Sequence, residues 1–238
     1  MTKTILITGS SRGIGKAFAC LAKNEGFNVI LHGKKKTKKL LSLSNELSSQ
    51  YLTFDVNNIA SIRSALKKLK RIDILVNSAG INISKIFSNL NDKDWKQIYN
   101  TNLFGVSNVI KYSLPLLKKS RSHSKIINIA SVKGTYSAVG HVGYASSKAA
   151  LINLTTGLAK ELSPKIIVNS ISPGFVNTDM TKKTLTKRVK KQIKSILLKR
   201  VAKPEEIANV ILFLCSEKCS YITGQNIIVD GGFGIKNE

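Results

Sequence analysis

Short apolar segments alternate with longer segments of helical periodicity along the whole chain, and this alternation limits the possible folds more than any other feature. The apolar segments predict strands at 4–8, 28–32, 51–54, 74–77, 125–129, 166–171 and 226–229. The periodic segments predict helices at 14–24, 37–47, 59–69, 94–118, 143–162 and 204–215. A strand followed by a helix, repeated, requires a parallel sheet with right-handed crossovers. We therefore expect an α/β fold, a doubly wound (Rossmann) parallel sheet of seven strands with helices on both faces.

The length of the chain fits one such domain. It has 238 residues and a mass of 26.0 kDa, with no internal repeat and no linker rich in proline or glycine. We expect a single nucleotide-binding catalytic domain over 1–238. The basic stretch at 182–199 lies between the sixth strand and the last helix. We expect a mobile substrate segment at about 179–200, over the edge of the sheet where such folds bind ligands.

Composition excludes several classes of protein. No apolar run approaches the ~18 residues that span a bilayer, and Ile5-Leu6-Ile7 is too short for the core of a signal peptide. The three cysteines cannot form a disulfide framework, so we expect a reducing compartment, the cytoplasm. The histidines and cysteines do not occur at the spacings of metal ligands, so we expect no metal.

The net charge of +25 is the unusual feature of the composition. Of the 38 basic residues, 32 are lysine and 6 are arginine, although arginine is the better reader of phosphates and bases. The lysines are spread along the chain, which favours a compositional bias on solvated faces over a nucleic-acid surface. A basic face that docks an acidic carrier protein remains open.

A glycine-rich turn follows the first predicted strand and opens the first predicted helix. It reads Thr8-Gly9-Ser10-Ser11-Arg12-Gly13-Ile14-Gly15. Glycines let the backbone approach a pyrophosphate, and the helix N-terminus offers free N–H groups and a positive dipole end. In this strand–turn–helix context the motif predicts a dinucleotide site.

The residues after the second predicted strand indicate which dinucleotide binds. Sites for NAD usually place an acid there to bind the ribose 2′-hydroxyl, but no Asp or Glu lies between Glu25 and Glu46. Lys34 follows the strand instead, and Arg12 lies in the glycine-rich turn. Both would attract a 2′-phosphate, so we predict NADP(H). The alternative for Lys34 is that it belongs to the general excess of lysine.

Three further polar residues form a candidate catalytic set. Tyr144 and Lys148 are four residues apart on a predicted helix and therefore share one face, and Ser131 follows the fifth strand. A Tyr-x-x-x-Lys pair alone is common on solvated helices. The three residues together, behind a nucleotide loop, are much more specific.

With these pieces, the whole chain resembles the classical short-chain dehydrogenase/reductases. The matching residues, in family order, are Thr8–Gly15, Asp55-Val56, Asn77-Ser78-Ala79-Gly80, Asn102, Ser131, Tyr144 with Lys148, and Pro173-Gly174 leading to Thr178. The Asn-Ser-Ala-Gly piece departs from the usual Asn-Asn-Ala-Gly. The segments 174–181 and 221–232 are most similar to the 3-oxoacyl-[acyl-carrier-protein] reductases of fatty-acid synthesis, although sugar and polyol dehydrogenases share much of this tail.

The resemblance implies roles for these residues. Hydride would pass between nicotinamide and a carbonyl carbon, with Tyr144 as the acid. Lys148 would lower the pKa of Tyr144 and hold the nicotinamide ribose. Ser131 would bind the substrate carbonyl, and Asn102 would keep a water near Lys148. The expected cofactor contacts are Gly9, Ser11, Arg12, Gly13, Ile14, Gly15, Lys34, Asp55, Val56, Asn77, Ala79, Gly80, Tyr144, Lys148, Pro173, Gly174, Val176 and Thr178. The expected substrate contacts are Ser131, His141, Tyr144 and Phe175.

The resemblance also implies a partner, and two alternative functions remain. We expect an acyl carrier protein or a small carbonyl compound as substrate, a homotetramer, and no membrane. One rival is a sugar, polyol or acyl-CoA dehydrogenase of the same family. A rival of another class is a catalytically idle binder of nucleic acid or an anionic surface, against which the intact Ser131, Tyr144 and Lys148 argue.

Overall fold

A computed structural model describes residues 2–182 and 193–235. The strands are β1 (Thr4–Thr8), β2 (Asn28–Gly33), β3 (Tyr51–Thr53), β4 (Ile74–Asn77), β5 (Ser124–Ile129), β6 (Ile166–Pro173) and β7 (Asn226–Val229). The helices are α1 (Gly13–Asn24), α2 (Lys38–Glu46), α3 (Ile59–Leu66), α4 (Asp92–Tyr99), α5 (Gly105–Leu117), α6 (Val142–Leu162), α7 (Asp179–Lys182) and α8 (Pro204–Cys215).

All seven strands pair in one parallel sheet in the order β3-β2-β1-β4-β5-β6-β7, which confirms the predicted fold class. The order reverses between β1 and β4, because β2 and β3 extend from one side of β1 and the later strands extend from the other. A crevice forms at the carboxyl ends of strands where such an order reverses, and ligands bind there. The glycine-rich turn follows β1 and therefore opens into this crevice.

The two faces of the sheet carry separate cores. Successive side chains of a strand point to opposite faces, so Ile5 and Ile7 pack in the core that contains Phe18 of α1 and Ile211 of α8. Leu6, between them, packs in the other core. The helices α3, α5 and α6 contribute to this second core through Ile62, Val109 and Leu151, among others. Both faces are thus covered, as the apolar character of the strands predicts.

The structure corrects the predicted helix at 94–118. A π-turn over Asn100–Phe104 separates α4 from α5, so the helix is not a continuous α-helix. At this turn the side chain of Asn102 donates to the backbone oxygen of Ile81 (3.0 Å) and accepts from its backbone nitrogen (2.9 Å). The extra residue of a π-turn turns the side chains on one side of it relative to those on the other. The periodicity of apolar residues does not report such a local insertion.

Other boundaries shift by a few residues. The predicted helix at 37–47 begins at Lys38, because the Thr37 side chain accepts from the backbone nitrogen of Leu40 (3.3 Å) as an N-cap. Of the predicted mobile segment, α7 and residues 193–200 are described, and 183–192 lie outside the described residues. Within the described part, Ile196 is fully buried, and the backbone nitrogen of Leu198 donates to Gly231 O at 3.1 Å.

Candidate active site

The glycine-rich turn is held against the carboxyl end of β4. A Cβ added to Gly9, whose φ is +68°, would lie 2.8 Å from Ala79 Cα, so only glycine fits without a backbone shift. The Thr8 hydroxyl accepts from the backbone nitrogens of Ser78 (3.1 Å) and Ala79 (3.2 Å). These contacts join two of the family-like segments, one after β1 and one after β4, at the crevice of the sheet.

The N-terminus of α1 is open for an anion. Arg12 occupies the N-cap position in an extended conformation and makes no side-chain cap, and no acidic residue lies in the first turn. A Cβ on Gly15 would lie 2.6 Å from Gly9 O, so the turn packs directly on the first turn of the helix. Helix N–H groups without a cap, next to a glycine backbone, are the donor set that a pyrophosphate requires. Ser11 and Ile14 lie half-buried in the same turn.

The basic residue predicted to meet the adenosine has an acidic partner. Lys34 Nζ lies 2.8 Å from Asp55 Oδ2, and the lysine side chain is 65% exposed. Burial works to raise the pKa of the Asp55 carboxyl, but hydrogen bonds from Lys34 and from the backbone of Asn57 outweigh it, so the pKa is lowered. Val56 is buried, and its Cγ2 lies 2.7 Å from the position of a Cβ on Gly105. The sequence did not indicate that Lys34 and Asp55 would pair.

The crevice next to β4 contains a buried acceptor that lacks a partner. Asn77 Nδ2 donates to Asn128 Oδ1 (2.9 Å), whereas Asn77 Oδ1 has no hydrogen-bond partner among the described residues. A buried polar atom without a partner is costly and marks a position where a ligand or water fits. Together with the glycine cradle and the open helix end, this acceptor makes the crevice fit a dinucleotide.

The candidate catalytic side chains meet at the ends of β5 and α6. The Ser131 hydroxyl lies close enough to the Tyr144 phenol to lower its pKa. Lys148 Nζ lies 5.9 Å from the centre of the Tyr144 ring and donates to Ile129 O at 2.7 Å. Tyr144 is half-buried, and Ser131 and Lys148 are buried. The structure thus brings Ser131, thirteen positions before Tyr144 and just past β5, to the tyrosine and lysine that share one face of α6.

The pKa of Tyr144 in the structure differs from the expectation. Burial raises the pKa of Tyr144, and the hydrogen bond with Ser131 offsets only part of that effect. Burial also lowers the pKa of Lys148 to about 8. The expected lowering of the Tyr144 pKa by Lys148 is therefore not found in this structure, because Lys148 Nζ is directed to the Ile129 carbonyl rather than to the phenol oxygen.

Asn102 lies beside Lys148 because of the π-turn. Its Nδ2 also donates to Ser147 Oγ at 3.0 Å, next to Lys148 on α6. A Cβ on Gly80 would lie 3.4 Å from Asn102 Oδ1 and 3.6 Å from Lys148 Nζ. Gly80 therefore leaves a gap between the amide and the ammonium group.

The segment after β6 lines the other side of the crevice. Thr178 Cγ2 lies 3.4 Å from the position of a Cβ on Gly13, so this segment contacts the glycine-rich turn. Val176 is buried and pairs with Ala202 through a β-bridge. Pro173 is buried at the end of β6. Gly174 packs against Asp230, since a Cβ added to this glycine would lie 2.8 Å from Asp230 Cα.

The predicted substrate residues have partners that the sequence did not indicate. His141 Nδ1 lies 3.2 Å from Ser84 Oγ. Phe175 makes an edge-to-face contact with Phe233, with ring centres 5.2 Å apart. Tyr136 donates to Asp230 Oδ2 at 2.9 Å, and this bond ties the loop after Ser131 to the C-terminal turn. These contacts join residues distant in sequence, so no local pattern could reveal them.

The described residues contain neither a candidate metal site nor a candidate membrane-spanning helix. Within residues 2–182 and 193–235, His, Cys, Asp and Glu side chains do not form a group of three that could hold a metal. The described helices include none with the length and apolar character needed to cross a bilayer.

Comparison with known proteins gives consistent relatives. The profile of a family described as "Enoyl-(Acyl carrier protein) reductase" matches residues 9–234. A 3-oxoacyl-[acyl-carrier-protein] reductase of Aquifex aeolicus is 40% identical over 242 residues, covering 97% of this chain and 96% of the relative. That of Thermotoga maritima is 41% identical over 243 residues, covering 98% of each. A crystal structure of a short-chain dehydrogenase/reductase from Brucella melitensis, a glucose/ribitol dehydrogenase, is 35% identical with a TM-score of 0.90, covering 97% of this chain and 96% of that one.

Proposed function

Since this chain belongs to the short-chain dehydrogenase/reductase family, we propose that it reduces 3-oxoacyl thioesters on acyl carrier protein to 3-hydroxyacyl thioesters, with NADPH, in fatty-acid synthesis. The chain is an oxidoreductase that acts on C=O or CH–OH groups with a nicotinamide cofactor. The curated relatives at 40% and 41% identity, which carry the name of this activity over almost their whole length, support the choice of substrate.

The observation that carries the proposal is the meeting of Ser131, Tyr144 and Lys148 beside the glycine cradle. A carbonyl reduction needs a proton donor at the carbonyl oxygen and a second group that fixes this oxygen. The neighbouring hydroxyls of Ser131 and Tyr144 offer both on one side of the crevice. The unpartnered Asn77 Oδ1 and the uncapped α1 offer the contacts for the dinucleotide on the other.

Side chains of this protein donate the proton and position the substrate oxygen. The hydride for C3 of the substrate would come from NADPH when it is bound in the crevice. Tyr144 donates its phenolic proton to the oxygen on C3, and Ser131 donates a hydrogen bond that holds this oxygen. The raised pKa of Tyr144 keeps the phenol protonated, which is the form that reduction requires. To stabilise the phenolate that remains, the Lys148 ammonium, 5.9 Å from the centre of the Tyr144 ring, would turn from Ile129 O towards the phenol oxygen.

A water between Asn102 and Lys148 would return the proton to Tyr144. The gap at Gly80, with Asn102 Oδ1 and Lys148 Nζ on either side, supports this position. The remaining expected contacts keep the roles stated from the sequence. The segment at the end of β6 lies beside the glycine-rich turn, where residues that contact the nicotinamide would have to lie. Its expected contacts are Pro173, Gly174, Val176 and Thr178.

The preference for NADPH over NADH is part of the proposal. Arg12 lies at the N-cap of α1, Lys34 directly follows β2, and no acid lies between Glu25 and Glu46. Asp55 engages Lys34 in this structure. The lysine is mostly exposed, so it can exchange the carboxylate for a 2′-phosphate, which carries more charge.

Replacing Lys34 by alanine should weaken NADPH binding about five- to tenfold, because an exposed charge pair contributes on the order of 1 kcal/mol. NADH binding should not change, because NADH has no 2′-phosphate. Dissociation constants from the quenching or enhancement of cofactor fluorescence would measure both. Lys67→Ala, which removes an exposed lysine at the end of α3, is the charge-matched control. Equal losses for NADPH and NADH would place Lys34 away from the ribose phosphate.

The charge of the protein suits a carrier-protein substrate. Acyl carrier proteins are acidic, and a partner of net charge +25 would meet them at an accelerated rate. This steering offers a use for the excess of lysine without a nucleic-acid ligand.

We also propose a homotetramer in the cytoplasm. Phe104, between α4 and α5, is 54% exposed, and Ile228 on β7 is 47% exposed. These apolar side chains support pairing of copies through the helices at 94–118 and 143–162 and through the C-terminal strand. The three cysteines are free thiols, which supports a reducing compartment.

A panel of cofactor assays tests the proposed reaction: NADPH oxidation for the thioesters, and NADP+ reduction for glucose and ribitol, which give up a hydride as dehydrogenase substrates. Acetoacetyl-acyl carrier protein should give the highest kcat/KM, above acetoacetyl-CoA and crotonyl-acyl carrier protein in the first assay and above glucose and ribitol in the second. The two sugars represent the Brucella melitensis dehydrogenase, and the crotonyl thioester represents the enoyl reduction named by the family description. A higher kcat/KM for a sugar or for the enoyl thioester would replace the proposed substrate. Turnover of none, with retention on nucleic acid at low salt, would favour the idle binder.

A further inference from the structure

His32 is a buried histidine at the end of β2 to which the mechanism above assigns no task. We propose that His32 is a positioning residue. It holds the glycine-rich turn and the end of β3, which leads to Asp55, at the spacing that a dinucleotide needs. The proposal rests on the proposed cofactor function. His32 acts through the backbone of its neighbours and need not touch the cofactor itself.

The first contact of His32 is with the glycine-rich turn. Gly9 N donates to His32 Nδ1 at 3.1 Å. Ser10 adds three bonds to the His32 backbone: its nitrogen (3.1 Å) and its hydroxyl (3.3 Å) donate to His32 O, and its hydroxyl accepts from His32 N (2.8 Å). The paired register of β1 and β2 ends at Ile7 and Leu31. His32 therefore continues the connection between the two segments beyond the end of the ladder.

The second contact of His32 is with the end of β3. His32 Nε2 lies 2.9 Å from Phe54 O, and the two rings pack with centres 3.8 Å apart. The register of β2 and β3 ends at Gly33 and Thr53, so this bond also lies just past a ladder. The next residue is Asp55, the partner of Lys34. One imidazole thus links the turn expected at the pyrophosphate to the wall expected at the adenosine.

These contacts require a neutral imidazole of one tautomer. Nδ1 accepts from the Gly9 N–H and therefore carries no hydrogen, so Nε2 carries the hydrogen and donates it to Phe54 O. Burial lowers the pKa of His32 to about 4, which keeps the ring neutral at physiological pH. A side chain that offers one acceptor and one donor at opposite edges of a flat ring matches both backbone groups.

The effect on the cofactor passes through Gly9. Its positive φ and its close approach to Ala79 define the turn that opens α1. Without an acceptor, the partly buried Gly9 N–H would be unpaired, and the turn would relax to find another partner. A relaxed turn no longer presents its backbone to the pyrophosphate, whereas Ser131, Tyr144 and Lys148 lie across the crevice and remain in place.

Three substitutions separate the two contacts. His32→Asn places an oxygen near the position of Nδ1 and keeps an acceptor for Gly9. His32→Gln places an amide nitrogen near Nε2 and keeps a donor for Phe54. His32→Leu fills the space with neither. The dissociation constant for NADPH without substrate, kcat and KM, and the midpoint of thermal unfolding would be measured for each.

We expect His32→Leu and His32→Gln to weaken NADPH binding about tenfold, with kcat at saturating NADPH within about twofold of the wild type. His32→Asn should recover most of the affinity. Recovery by Asn but not by Gln, at similar unfolding midpoints for these two variants, supports positioning through Gly9. If His32→Leu fails to fold, the comparison of Asn with Gln decides alone.

The proposal is overturned if Asn and Gln lose NADPH affinity equally, if affinity follows the unfolding midpoint across the series, or if no variant changes affinity. Failure of the proposed substrate would appear differently. It would abolish turnover of 3-oxoacyl thioesters by the wild-type protein and leave the ratio of NADPH affinities between Asn and Gln unchanged. Wild-type protein that binds neither NADPH nor NADH overturns both proposals.

Discussion

Tyr144→Phe should lower kcat for 3-oxoacyl reduction by at least about 1,000-fold, because it removes the hydroxyl placed to donate a proton to the substrate oxygen. The ring remains, so the packing of α6 and the walls of the crevice should not change. The dissociation constant for NADPH should stay within about twofold of the wild type. Steady-state rates at saturating NADPH and fluorescence titration of the cofactor would measure the two effects.

Tyr112→Phe provides the matched control. Tyr112 is a half-buried tyrosine on α5 that packs beneath Arg63, with 5.9 Å from the guanidinium carbon to the ring centre. The same loss of one hydroxyl at this distant position should leave kcat unchanged. Turnover by Tyr144→Phe at more than about a tenth of the wild-type rate would refute Tyr144 as the acid.

Lys148→Met should reduce kcat/KM for NADPH by about 100-fold or more, because it removes the buried cation beside the phenol and a side chain proposed to hold the nicotinamide ribose. In contrast to Tyr144→Phe, this substitution should weaken both turnover and cofactor binding. Loss of turnover with unchanged NADPH affinity would show that Lys148 does not contact the cofactor.

The stability of the Lys148→Met variant provides the control for folding. Burial lowers the pKa of Lys148 from 10.5 to about 8. This shift means that the buried cation costs roughly 3 kcal/mol of folding free energy below pH 8, and that the cost is relieved as the pH rises from 8 towards 10.5. Methionine removes this cost but leaves Ile129 O without its donor, which costs about 1.5–3 kcal/mol. The two effects nearly cancel, so denaturant unfolding at pH 7 should give a similar free energy for both proteins.

The same pKa predicts the pH dependence of the wild-type enzyme. Lys148 is a cation below about pH 8 and loses its proton above it. Since kcat/KM for NADPH reports the free enzyme, it should fall as the pH rises through about 8. Tyr144, whose pKa is raised, keeps its proton over this range and cannot account for the fall. A profile that stays flat to pH 9.5 would contradict a need for the Lys148 cation.

The fold was predictable because its signal is repeated along the whole chain. Ile5, Leu6 and Ile7 show why: all three are apolar, and each packs in one of two cores, as a strand buried on both faces requires. The glycine-rich turn was predictable because Gly9 meets a local demand, a positive φ and a close approach to Ala79. Both signals depend on residue type and spacing, which a single sequence contains.

The errors concern contacts between segments that are far apart in sequence. The π-turn at Asn100–Phe104 interrupts a periodic helix at the place where Asn102 bonds to Ile81, twenty-one positions away. The direction of the Tyr144 pKa was wrong because four-residue spacing places Lys148 on the same face but does not show that Nζ is directed to Ile129 O. The spacing of two residues in the sequence predicts that their side chains are close, but burial and side-chain orientation decide how their pKa values shift.

The order of strands and helices, the pyrophosphate turn and the identity of Ser131, Tyr144 and Lys148 as candidates follow from the sequence by itself, since each depends on periodicity, backbone freedom or residue chemistry. Only the tertiary structure decided that Lys34 pairs with Asp55, that His32 joins Gly9 to Phe54, and that Tyr136 reaches Asp230. The physical reason is that hydrogen bonds and ion pairs act over a few ångströms, so they depend on which chain segments folding brings side by side.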